Sequence, residues 1–113
     1  MGRIVIVAYQ PKPGMDEALM TVVRRHMSVL QSENLITERV AYVMRAADGT
    51  VVEVFEWQSA DAISKAHSLP AVQELWAEFG AACNYRPLAE VPECQQLFAE
   101  FDPVSMESLP LSE

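Results

Sequence analysis

The sequence predicts an α+β domain: a ferredoxin-like antiparallel sheet in the order strand, helix, strand, strand, helix, strand. Three observations carry that expectation. Short β-rich runs alternate with two longer stretches whose apolar residues recur at helical spacing. An Asp48-Gly49 pair separates two of the β-rich runs and favours a hairpin between them. The strands are also apolar on both faces, whereas two helices on one side of a sheet cover only one of them. The other face therefore requires a partner subunit or a ligand cavity.

The first strand, Arg3 to Gln10, reads Ile4-Val5-Ile6-Val7-Ala8-Tyr9 with no polar break. Gln10-Pro11-Lys12-Pro13-Gly14 is a turn, because proline cannot donate to a ladder and glycine frees the backbone to reverse. A helix follows from Met15 or Asp16 to about Glu33, with Leu19, Val22, Val23, His26, Met27 and Leu30 on one face. Asp16 and Glu17 suit the positive end of its dipole.

The second strand is expected from Thr37 to Ala46, with Val40, Tyr42 and Met44 opposite Ala41 and Val43. The third, Val51 to Trp57, sets Val51, Phe55 and Trp57 against Val52 and Val54. Ser59 or Asp61 then caps a short helix through Ile63, Ala66 and His67, and Pro70 restarts it in a first turn, where proline is tolerated. The continuing stripe is Val72, Leu75, Trp76, Phe79 and Cys83, ended by Asn84-Tyr85-Arg86-Pro87. A last strand is expected from Cys94 to Phe101. The domain is thus assigned to residues 1–102, with 103–113 an extended or partly disordered tail.

Length and composition fit one domain: 113 residues, half of them hydrophobic, support a core without disulfides or metal. Cys83 and Cys94 lie far apart, without CxxC spacing or a nearby histidine, and read as free thiols rather than a bridge or a zinc site. No apolar run has the length of a membrane span or the pattern of a signal peptide, so a cytoplasmic location is expected. The net charge of -8 is uneven. Residues 1–50 carry six basic and five acidic side chains, a net of +1, and residues 51–113 carry two and eleven, a net of -9. With no basic stripe, nucleic acid is not an expected partner.

The stretch Val54-Phe55-Glu56-Trp57-Gln58-Ser59-Ala60-Asp61-Ala62-Ile63-Ser64-Lys65-Ala66-His67 resembles the strand-to-helix segment of the antibiotic biosynthesis monooxygenase-like (ABM-like) dimeric α/β barrels. There an aromatic-x-Ser ends the third strand and a histidine falls about two turns into the next helix. The resemblance implies a homodimer whose uncovered sheet faces close on each other, with a cavity between sheet and helices. It also implies a cofactor-independent monooxygenase or isomerase of a small aromatic or quinol-like molecule. Such an enzyme deprotonates an electron-rich phenol in a dry pocket, and the anion then reduces dioxygen itself. The haem-degrading members use an asparagine on the first strand and a histidine on the late helix, and this chain has neither. No cofactor is expected.

The resemblance carries over two positions, His67 as catalytic base or hydrogen-bond donor and Trp57 as a stacking wall. Tyr42, Arg39 and Tyr85 are cavity candidates from their places on a strand or at a helix end. Against these stand plainer roles: a helix-face histidine satisfied by backbone or water, a core tryptophan, and tyrosines at an interface. His26, inside the first helix's apolar stripe, reads as a packed histidine bonded to a carbonyl. Glu53 interrupts an apolar strand face, so it is either a cavity base or the partner of Arg39 or Arg45, and the pair is the favoured reading. The alternative function is a non-catalytic small-molecule-binding or structural dimerisation module. A cavity without convergent polar groups would favour it.

Overall fold

Two apolar faces on the first strand are what a central strand needs, and the computed structural model, which describes residues 1–105, places it there. Strand β1 (Arg3–Pro11) pairs antiparallel with β3 (Val51–Trp57) on one side and with β4 (Cys83–Arg86) on the other. Strand β2 (Tyr42–Arg45) joins the far side of β3 through a hairpin, and the two-residue β5 (Asp102–Pro103) closes the edge. The sheet order is β4-β1-β3-β2-β5, all antiparallel, with helices α1 (Asp16–Ser32), α2 (Ala60–Ala66) and α3 (Pro70–Ala82) in the connections. This is the predicted α+β, ferredoxin-like arrangement.

The local signals act as their chemistry dictates. Ala46 N–H donates to the Thr50 carbonyl at 2.8 Å across a three-residue loop whose Gly49 has φ 94°, the left-handed position that glycine fills at least cost. Helix α1 ends in a Schellman motif: Asn34, at φ 60°, donates to the Gln31 carbonyl, and Leu35 donates to that of Leu30. Pro70 occupies the first turn of α3.

Ser59 Oγ accepts from Ala62 N–H at 3.0 Å and caps α2. Ser59→Ala is expected to cost about 1 kcal/mol, read as a lower urea midpoint, and Ser59→Asp to retain most of it. Equal midpoints for all three proteins would remove the cap from the account.

The odd-numbered residues of β1 and β3 face the helices. Tyr9, Val51 and Phe55 pack there with Leu19, Val23, Leu30, Leu75 and Phe79, all buried. The even-numbered residues face away. At one end of that outer face Ala8 and Val52 are buried under Val91, where the chain crosses in two 3-10 turns, Leu88–Glu90 and Pro92–Gln95. Elsewhere the outer face is open: Ile4, Ile6, Val40 and Tyr42 are 55, 49, 72 and 68% exposed.

Two expectations are corrected. The last long strand is not Cys94–Phe101 but Cys83–Arg86, which begins without a turn where α3 stops, Cys83 itself being extended at φ -151°. Arg86 holds this departure in place. Its guanidinium donates to Asp48 Oδ2, to Thr50 Oγ1 and to the Glu90 carbonyl, each at 2.8 Å, which ties β4 to the hairpin turn and to the crossing segment. Residues 94–101 form no strand. Cys94 and Phe101 pack over the outer face, and Leu97 and Phe98 stand 93 and 78% exposed. The second strand is also shorter than Thr37–Ala46. Before Tyr42 the chain leaves the ladder, and Thr37 Oγ1 and Arg39 Nε both turn to Glu56 Oε1 at 2.9 Å. Of the segment expected as a tail, Pro103 pairs with Met44 of β2 and Val104 N–H donates to the Val43 carbonyl at 3.0 Å. Residues 106–113 lie outside the described part.

Candidate functional site

Between the helix-facing side of the sheet and helices α1 and α3 lies a cavity of about 220 Å³. Strands supply Val5, Val7 and Tyr9 from β1, Phe55 and Trp57 from β3, and Tyr85 from β4. Helices supply His26 from α1 and Trp76 and Phe79 from α3. The rings pack edge to face around His26, whose imidazole centroid lies 5.3 Å from Phe55 and 4.9 Å from Phe79. Tyr9 stacks on Phe79 at 4.7 Å, and Tyr85, 55% exposed, stands 5.6 Å from Tyr9 at the open rim.

Glu53 brings polarity to this apolar chamber. It shares the face of Val51, Phe55 and Trp57, is wholly buried, and accepts on Oε1 from Tyr9 O–H at 2.7 Å and from His26 Nδ1 at 2.8 Å. Two donors converging on one oxygen suit an ionised carboxylate, which can only accept. With Oε1 accepting, Nδ1 of His26 is the donor in this contact. His26 is only 4% exposed, and among the described residues Nε2 has no hydrogen-bond partner. His26 lines the cavity, and among the described residues the sole buried side-chain oxygen or nitrogen without a partner is Glu53 Oε2.

The two tyrosines remain neutral across the working range. Burial, then the charge of Glu53 and the hydrogen bond to it, hold the Tyr9 hydroxyl well above its usual range. Burial, then Cys83 and Glu53, push Tyr85 up to about 12. Neither serves as a base near neutrality. His26 supplies the imidazole of the cavity lining.

The sequence-derived candidates divide between places. Trp57 and Tyr85 line the cavity, and Glu53 lies under it, held by two of its lining residues. The expected pairing of Glu53 with Arg39 or Arg45 is corrected: its partners are Tyr9 and His26, and Arg39 Nε donates instead to Glu56 Oε1 at 2.9 Å. His26 correspondingly bonds a carboxylate and not a carbonyl. Arg39 and Tyr42 line a separate groove on the outer face with Ile4, Val40 and Val54. His67 follows the last residue of α2 and is exposed. Its Nδ1 donates to the Ile63 carbonyl at 2.9 Å and its ring meets Trp76 edge-on at 5.0 Å, outside the cavity lining.

Among the described residues no group of three His, Cys, Asp or Glu side chains is placed to hold a metal ion, and Cys83 and Cys94 are free. No helix among them is long and apolar enough to cross a membrane.

Tyr9 and His26 were not foreseen as site residues. The signal lay in parity and in opposition. Glu53 sits at the apolar period of β3, and His26 at the apolar period of the helix that must cover it. A titratable group interrupting each of two facing apolar stripes is the pattern of a buried pair.

No protein-family model matches the chain, and no curated protein matches it in sequence. Among solved structures the fold is similar to that of SnoaB, a cofactor-independent oxygenase from Streptomyces nogalater. The TM-score is 0.61 at 15% sequence identity, over 74% of this chain and 85% of that one, a likeness of fold.

Proposed function

We propose that this chain is a cofactor-independent oxygenase of a small phenol or hydroquinone, with His26 as its base. The observation that carries this reading is the Glu53–His26–Tyr9 cluster under an aromatic-lined cavity. The ABM-like resemblance of the Val54–His67 stretch and the fold shared with SnoaB support it. Convergent polar groups in the cavity also favour catalysis over a passive binding module.

His26 Nε2 takes the phenolic proton, and the resulting imidazolium is held by the carboxylate 2.8 Å from Nδ1. The Tyr9 hydroxyl on the same oxygen fixes the carboxylate's orientation. The phenolate, desolvated among rings, passes one electron to dioxygen, and the radical and superoxide combine through a new carbon–oxygen bond. The imidazolium returns its proton to the distal oxygen, and loss of water leaves a carbonyl. A phenol and one dioxygen thus give a quinone and one water, with no external reductant.

The test is oxygen uptake by metal-free protein with a panel of one- and two-ring phenols and hydroquinones, measured above uncatalysed autoxidation. His26→Gln is expected to lower the accelerated rate about 100-fold, within the usual range for a general base, and His67→Ala to leave it intact. No acceleration with any of the panel, or a full rate in His26→Gln, would sink the proposal.

The second copy belongs to the same proposal. Ile4, Ile6, Val40 and Tyr42 form an open apolar surface on the sheet's outer face, and the resemblance points to a homodimer closed there.

A further inference from the structure

We propose, resting on the oxygenase reading, that the cavity takes one- or two-ring phenols in their protonated form and rejects ring systems bearing a carboxylate or phosphate. Size gives the first half. A cavity of about 220 Å³ lies below the range that encloses drug-sized ligands, and planar walls at Trp57, Trp76 and Phe55 favour a flat one.

Charge gives the second. Among the described residues no lysine or arginine lines the cavity, and the cations nearby are committed elsewhere. Lys12 Nζ donates to the Gly80 carbonyl at 2.8 Å, Arg25 pairs with Glu78, and Arg86 is held by Asp48. Arg3, opposite Trp57 in the β1–β3 ladder, is exposed and outside the lining. The titratable groups around the chamber are Tyr9, His26, Glu53, Cys83 and Tyr85, none a permanent cation. The fully buried Glu53 keeps one oxygen with no hydrogen-bond partner.

Proton transfer inside such a site is permissible where anion entry is not. When a phenol gives its proton to His26, the site holds an imidazolium, a carboxylate and a phenolate, and its total charge is unchanged. A ligand that arrives ionised adds a second negative charge beside Glu53 in a medium of low dielectric. The chain's net charge of -8 opposes that approach at longer range.

The experiment compares 2-naphthol, 6-hydroxy-2-naphthoate and its methyl ester by titration calorimetry at pH 8. The chain's two tryptophans, Trp57 and Trp76, both line the cavity, so quenching of their fluorescence reports occupation of this site. The naphthol and the ester are expected to bind and quench, the acid to bind at least about tenfold more weakly, and the gap to narrow in Glu53→Gln, which keeps volume and an acceptor oxygen. An acid as tight as its ester, or a naphthol that does not bind, overturns the proposal. A gap unchanged in a folded Glu53→Gln overturns the assignment to Glu53. If that variant does not fold, the acid and ester on the unaltered protein decide alone. Binding is read without turnover: selective binding with no oxygen uptake sinks the oxygenase reading and leaves this inference standing.

Discussion

Glu53→Ala is expected to lose about 4 kcal/mol of folding free energy, because it removes the acceptor that two buried donors share and strands both. In the intact chain Oε1 satisfies both Tyr9 O–H and His26 Nδ1, which are 2 and 4% exposed. Alanine leaves two buried donors without an acceptor and a void under the cavity. A domain of this size has total stability of roughly 5–15 kcal/mol, so the variant approaches the edge of folding. The check is urea denaturation: a large fall in midpoint at nearly unchanged slope. A loss below about 1 kcal/mol would mean that water reaches the carboxylate and that the cluster is not dry.

Replacing the whole cluster separates stability from purpose. Tyr9→Phe, His26→Leu and Glu53→Leu together remove the cluster's polar atoms, and replacing all partners of a buried hydrogen-bonded cluster by apolar groups is often neutral or stabilising. The triple variant is expected to recover the stability that Glu53→Ala loses, and to lose oxygen uptake. A cluster whose removal costs nothing in folding is held for its chemistry. Phe79 and Phe55, already packed against the His26 ring, are the neighbours that would fill the altered site.

Much of the fold was legible because each element's pattern is local. The unbroken apolar run of β1, the Asp48-Gly49 reversal, the Ser59 cap and the Pro70 restart depend on neighbours a few residues away. Strand β4 was not legible in the same way. Its four residues, Cys83 to Arg86, alternate inward Cys83 and Tyr85 with outward Asn84 and Arg86, too short a run to stand out beside Leu97, Phe98 and Phe101. Apolar content drew the expectation to residues 94–101, where it serves partly as cover for the outer face and partly as exposed surface.

The site was half legible for a different reason. Parity places Glu53 on the side of Trp57, but its partner depends on strand register and on the rotation of α1. In the ladder Glu53 stands opposite Val7, with Tyr9 on the diagonal two residues on, within reach of a long side chain. His26 arrives from across the layer. Neither relation follows from sequence spacing, and charge alone suggested Arg39 or Arg45 instead. The motif-derived histidine, His67, lies outside the chamber's lining for a related reason: two turns along a helix sets a distance from Trp57, not a direction into the chamber.

The outer face carries the second large effect. The unaltered chain is expected to be a dimer in sedimentation at micromolar concentration, and Ile6→Lys with Tyr42→Lys to weaken it about 1000-fold, equivalent to about 4 kcal/mol. Both side chains are half-exposed or more in the single chain, at 49 and 68%, so the substitutions leave its core intact. In a two-fold interface each substitution occurs twice, which places four ammonium groups in one apolar contact. Lysines on an outward strand face are otherwise well tolerated, and they blunt association. The helix-facing chamber lies across the sheet from these residues, so a folded monomeric variant is expected to retain 2-naphthol quenching of Trp57 and Trp76. An unaltered chain that sediments as a monomer would require the open face to be covered by something other than a second copy. Loss of quenching on dissociation would instead make the chamber's shape depend on the partner, with the sheet transmitting strain from one face to the other.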